Sequence, residues 1–126
     1  MGYSHYWTRT RKNKPEQFTK FAEVCLRIVK NSDMTKKEKT SINIDEYCVE
    51  LYPVGEGESF WMRPNEDSGK SIKAGFDWCK TGQGSAYDTV VIACLYAAST
   101  MLGYLFESDG NRRDLQAGKQ LFLMSK

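Results

Sequence analysis

Two stretches of this chain bring together side chains able to do chemistry. The first is Gly2-Tyr3-Ser4-His5-Tyr6-Trp7-Thr8-Arg9, which holds the only histidine. The second is Phe76-Asp77-Trp78-Cys79-Lys80-Thr81, followed by Gly82-Gln83-Gly84-Ser85 and an apolar run from Tyr87-Asp88. Lys80, Thr81, Gly82, Gly84 and Ser85 lie between an expected strand and an expected helix. Glycines let backbone N–H groups approach a ligand, the helix N-terminus adds a partial positive charge, and Lys80 adds a full one. These are the ingredients of an anion cradle. It is not a Walker loop, because the lysine precedes the glycines. The competing reading is a plain turn joining two elements.

His5 must carry any chemistry that needs an imidazole. No nucleophile is evident beside it, so a packed or pocket-lining ring competes with a catalytic one. Asp77 and Asp88 are candidates to orient it; the alternatives are a helix cap for Asp88 and a surface pair for Asp77. Tyr3, Tyr6, Trp7, Trp61, Trp78 and Tyr87 can stack a flat ligand or fill the core. Their neighbours Arg9, Arg63 and Lys80 favour a nucleotide, with a ring to stack and phosphates to pair. Ser108-Asp109-Gly110-Asn111 reads as a turn, with Arg112 and Arg113 either at a pocket mouth or simply on the surface.

The elements that must position these residues follow from periodicity. Residues 2–9 alternate as a strand with Tyr3, His5, Trp7 and Arg9 on one face. Pro15 opens a helix to about Lys30, with Phe18, Phe21, Cys25 and Ile28 on its apolar stripe. Residues 31–40 read as a loop. Strands are expected at about 41–44, 47–52, 59–63 and 73–80, with the second and third forming a hairpin across Gly55-Glu56-Gly57-Glu58. Ser85 and Asp88 resemble a capping box for a helix over 86–102, which is apolar nearly all round and ends at Gly103. Residues 105–107 suggest a short strand, and the tail, Leu115 to Met124, a short strand or helix. The order predicts a single α+β domain over 1–126, a mainly antiparallel sheet with the two main helices packed on one face.

At 126 residues with 40% hydrophobic side chains the chain can bury one core without staples. The net charge of +2 does not by itself call for nucleic acid or a membrane. Cys25, Cys48, Cys79 and Cys94 form no CxxC pair, so neither a zinc site nor any other metal or cofactor is expected, and four buried thiols are. The polar, aromatic start reads as no signal peptide, and no apolar run is long enough to span a bilayer. A cytoplasmic protein is expected.

Gly2-Tyr3-Ser4-His5-Tyr6-Trp7, Trp78-Cys79-Lys80-Thr81, Tyr87-Asp88 and Ser108-Asp109-Gly110 resemble a family of small proteins found in bacteriophages and bacterial genomes. Its members open Gly-Tyr-Thr-His-Tyr-Trp and carry Phe-Cys-Lys-Thr, Pro-Tyr-Asp and Ser-Asp-Gly blocks. Gly82 to Ala86 departs from the family's basic, proline-containing loop. The resemblance implies a viral or prophage origin and assigns no catalytic residue. Together with the cradle, the aromatics and the lack of a catalytic set, it leads to the expectation of a non-enzymatic protein that sequesters an anionic small molecule, such as a cyclic or ADP-ribose-type nucleotide serving as a host immune signal. Because pockets in so small a protein are often completed at a subunit interface, a homo-oligomer is expected. The ligand-binding set would be Tyr3, His5, Trp7, Arg9, Arg63, Trp78, Lys80, Thr81, Gly82, Gly84, Ser85, Tyr87 and Arg112. Two alternatives are a nucleotide phosphodiesterase or other hydrolase using His5, and an inhibitor that binds a host protein directly.

Overall fold

A computed structural model describes residues 3–55, 57–66 and 75–126. Gly2, Glu56 and the beginning of the strand expected at 73–80 lie outside the described residues. In chain order the elements are β1 (Ser4–Thr8), α1 (Pro15–Asn31), α2 (Lys36–Thr40), β2 (Ile42–Asp45) and β3 (Cys48–Leu51). They continue with β4 (Phe60–Met62), β5 (Phe76–Lys80), α3 (Ala86–Leu102), β6 (Leu105–Ser108) and α4 (Arg112–Ser125). The α+β class and the antiparallel pairing are as the sequence predicts. The strands fall into two three-stranded sheets, ordered β5-β1-β6 and β2-β3-β4.

Helix α3 is central because its sequence has no polar face to give to water. Val90 to Leu95, Ala97, Ala98 and Leu102 are all buried along it. Gly103, at φ 74°, ends it in the left-handed conformation that glycine adopts without cost. Helix α1 lays its apolar stripe of Phe18, Phe21, Val24, Cys25 and Ile28 on this core, with Lys20, Glu23, Arg27 and Lys30 turned outward. The tail is a full helix, α4. It approaches α3 so closely that a side chain at Gly118 would meet Ile92 Cγ2 at 2.2 Å.

The stretch 31–40, read as a loop, contains the short helix α2. Thr35 accepts the Glu38 N–H while the Glu38 carboxylate takes the Thr35 N–H, a reciprocal cap that satisfies two otherwise orphan donors. Hairpin β3–β4 forms as expected, with Val49 opposite Met62 and Leu51 opposite Phe60. All four cysteines are buried free thiols. Among the described residues no helix is long and apolar enough to cross a membrane.

Candidate functional site

Strand β1 lies between β5 and β6, and its register decides which side chains meet. His5 stands opposite Cys79 on β5 and opposite Ser108 on β6. Directly opposed residues on neighbouring strands share a face, so Ser108 and His5 point the same way, toward the first turn of α3. Past the end of β5, the Thr81 N–H donates to the Tyr3 carbonyl and holds Thr81 beside the same ring. Asp109 closes the other side, its carboxylate accepting the Ser4 N–H and its own N–H donating to the Ser4 carbonyl.

A continuous hydrogen-bonded chain results. His5 Nε2 lies 2.7 Å from Asp88 Oδ1, and His5 Nδ1 lies 2.7 Å from Ser108 Oγ. Thr81 Oγ1 donates to Asp88 Oδ1 at 2.7 Å, while the Tyr3 hydroxyl and the Gly84 N–H donate to Asp88 Oδ2, each at 3.0 Å. The Gly110 N–H donates to Ser108 Oγ at 2.9 Å. The partners assign the tautomer. Asp88 can only accept, so Nε2 carries the proton, and Nδ1 accepts from the Ser108 hydroxyl.

Burial pushes the Asp88 carboxyl up, but its hydrogen bonds from His5, Gly84 and Thr81 outweigh that and hold it below the ordinary carboxylate range. Tyr3 moves the other way. Burial, then the charges of Asp88, Asp114 and Asp109, push its phenol well above the usual range, so it stays a donor. His5 is 0% and Asp88 1% exposed, whereas Ser108 is half-buried. The partly exposed members of this chain are Ser108 and Tyr3.

The cradle is built differently from its sequence reading. The Gly84 N–H faces Asp88, Ser85 Oγ accepts the Asp88 N–H, and Gln83 Nε2 donates to Asp114. Donors expected to hold a foreign anion thus hold the chain's own carboxylates. Gly82 accepts the Ser85 N–H through its carbonyl. Lys80 is exposed, and its backbone pairs with Glu58 rather than with the loop.

The stacking platform does not assemble either. Trp7 is buried against Phe60 with ring centroids 5.0 Å apart, and the Tyr87 hydroxyl is spent on the carbonyls of Leu51 and Glu58. Trp78 lies with Phe76 and Tyr6 on the opposite face of the sheet from His5. Arg63 follows β4, beside the second sheet, paired with Glu50 and stacked on Trp61. Arg9 donates its N–H to the Gly75 carbonyl, and Arg112 is exposed in the first turn of α4. Asp77, read as a surface residue, is 3% exposed. It alternates with Phe76 and Trp78 and so takes the inward face.

Of the thirteen predicted binding residues, Tyr3, His5, Thr81, Gly84 and Ser85 converge. The residues of primary importance that the sequence reading passed over are Ser108, taken for part of a turn, and Gly110. The available signal was the strand at 105–107, which had to pair with a neighbour. Tyr3, Ser4 and His5, Thr81, Asp88, and Ser108 to Gly110 meet at this one locus. Among the described residues no group of three or more His, Cys, Asp or Glu side chains is arranged to hold a metal ion. Compared with protein-family models, curated proteins and solved structures, the chain matches none.

Proposed function

We propose that the protein is a hydrolase in which Ser108 is the nucleophile, His5 the general base and Asp88 the residue that orients and stabilises the imidazole. The observation that carries this reading is the Ser108–His5–Asp88 chain, with 2.7 Å at each link. A serine hydroxyl is a weak nucleophile until a base within hydrogen-bond reach takes its proton, and a base so placed is most effective when a third group fixes its tautomer. Here the carboxylate binds Nε2 and the hydroxyl binds Nδ1. The ring and the carboxylate are sealed from solvent, so in this reading a substrate meets Ser108 rather than His5 or Asp88.

The charge around the hydroxyl favours an uncharged carboxylic ester over a nucleotide phosphate. Asp109, which accepts the Ser4 N–H, and Asp114, which accepts the Asn111 N–H, place two carboxylates beside the serine loop, and their charge disfavours a phosphoryl group. In the reaction, Ser108 Oγ attacks the ester carbonyl and its proton passes to His5 Nδ1. The alkoxide leaves with that proton. Water then attacks the acyl-serine, gives a proton to His5, and releases the acid as Ser108 recovers its hydrogen. The Gly110 N–H donates to Ser108 Oγ at 2.9 Å and holds the hydroxyl oxygen in place beside His5. The test is turnover of p-nitrophenyl acetate by the wild type and by Ser108→Ala. Release of p-nitrophenol well above background, falling to background in the folded variant, supports the assignment. Equal rates from both proteins remove it.

A second reading keeps the protein a non-enzymatic binder of a small molecule. It is favoured by a groove of about 480 Å³ between the end of α1, the start of α3 and α4, lined in part by Gly84, Ala86 and Thr89. Mass spectrometry of small molecules released by heating the purified protein separates the two. An unmodified ligand recovered in stoichiometric amount supports sequestration.

A further inference from the structure

The outer face of the second sheet is built unlike the rest of the surface. Strands β2, β3 and β4 turn Ile42, Ile44, Val49, Leu51, Phe60 and Met62 to the core. The alternate positions therefore face away from it, among them Asn43, Asp45, Glu50 and Trp61. Helix α1 packs against β2 and β3, while Asn43, Asp45 and Tyr47 are exposed. A groove of about 480 Å³ crosses this face, lined by Asn43, Asp45, Tyr47, Arg63, Pro64 and Glu66 among others. Tyr47 is 68% and Tyr52 42% exposed.

The charge runs against that of the chain. The net charge of the whole protein is +2, yet among the described residues the groove is lined by two carboxylates, Asp45 and Glu66, and one guanidinium. That guanidinium is already spent. Arg63 pairs with Glu50 at 3.2 Å and lies over the Trp61 ring at 5.1 Å. Asp45 and Glu66 make no ion pair among the described residues. The Arg63–Trp61 contact also shows that a cation over an aromatic ring suits this surface.

We infer that this face docks a cationic peptide segment of a partner protein, with a Lys or Arg held between Asp45 and Glu66 and apolar atoms against Tyr47. Charge complementarity selects the partner's sign, and the exposed tyrosines supply the flat apolar contact typical of interface anchors. This inference is independent of the chemistry at Ser108. Both Glu66 and Tyr47 are exposed and removable without opening the core.

The test uses the full chain, isotopically labelled, titrated with a peptide of about eight residues alternating Lys and Val, a span that matches a short strand. Shift changes should map to Tyr47, Trp61 and Glu66. Affinity should fall about fivefold in Glu66→Gln and about tenfold in Tyr47→Ala. A Glu-Val peptide should not bind. Several results would overturn the assignment: no binding of the Lys-Val peptide, equal binding of the Glu-Val peptide, or an undiminished affinity in Tyr47→Ala, which would mean diffuse charge attraction alone. Sedimentation showing self-association that Glu66→Gln abolishes would give the face to a second copy of this chain instead.

Discussion

The two sheets each carry a polar cluster in which a carboxylate is bonded to a tyrosine hydroxyl and a basic side chain. In the first, Asp88 takes the Tyr3 hydroxyl and His5; in the second, Glu50 takes the Tyr52 hydroxyl and Arg63. The chemistry is alike, but the construction is not. The Glu50 cluster is local, spanning one hairpin, and Arg63 remains 45% exposed. The Asp88 cluster draws on β1, the end of β5, α3 and β6, with partners up to 103 residues apart, and its His5–Asp88 hydrogen bond is sealed from solvent. A network collected from four elements ties the fold together and has a low-dielectric interior, where hydrogen bonds are strong and unpaired groups are costly. A cluster assembled within one hairpin has water as an alternative partner. The proposed chemistry belongs to the sealed network, and the proposed docking groove lies beside the local one, at Asp45, Tyr47 and Glu66.

The largest expected effect comes from cutting each cluster at one side chain. Asp88→Ala removes the acceptor shared by His5, Thr81, Tyr3 and the Gly84 N–H, leaving His5 Nε2 only Thr81 Oγ1 at 3.1 Å, and should cost about 3 kcal/mol. Arg63→Ala, at a half-exposed pair, should cost about 1 kcal/mol or less. Urea denaturation of the two variants measures both. Similar losses would erase the distinction between a sealed network and a surface one.

Glycines sharpen the comparison on a smaller scale. A Cβ at Gly110 would meet the Tyr3 hydroxyl at 2.8 Å and Ser108 Oγ at 3.0 Å, whereas a Cβ at Gly55, in the turn between β3 and β4, would meet nothing within 4 Å. Gly110→Ala should therefore destabilise by about 1–3 kcal/mol, as overpacking does. Gly55→Ala should stay within about 0.5 kcal/mol of the wild type. Thermal melts followed by circular dichroism decide it, and a neutral Gly110→Ala would mean that the serine loop is loosely held.

The smallest effect is in pH dependence. The folded Asp88 carboxyl lies below its ordinary value of 3.8, so its stabilisation is fully present above that value and is lost as pH falls through the folded one. Asp88→Asn should flatten the acid limb of the stability profile. Glu50 is lowered as well, chiefly by the Tyr52 hydroxyl and against burial, so Glu50→Gln should flatten the limb too, but less because its partners are more exposed. An unaltered acid limb in Asp88→Asn would show that this carboxylate is not held by its donors.

What was legible in the sequence was whatever periodicity and caps encode. Helix α3 runs over the expected 86–102, and α1 extends one residue beyond its expected end. The division into two sheets was not legible, because alternation says which face of a strand is buried and nothing about which strand lies beside it. The same gap hid the site. His5 and Asp88 were visible as candidates, but Ser108 joins them only through the pairing of β1 with β6. The cradle misled for a related reason. A glycine loop before a helix looks the same in sequence whether its donors face a ligand or a carboxylate one turn into that helix, and here Asp88 is that carboxylate.

The central claim is that Ser108 is activated by His5 and Asp88, and covalent labelling tests it most directly. A fluorophosphonate probe should add to the native protein at a single site, mapped by peptide mass spectrometry to Ser108. The label should be lost in Ser108→Ala and strongly slowed in His5→Gln and Asp88→Asn variants that retain the wild-type circular dichroism spectrum. Absence of labelling in the folded wild type, or labelling at unchanged rate in folded His5→Gln, would contradict the account and leave the chain of hydrogen bonds as a brace between the first sheet and α3.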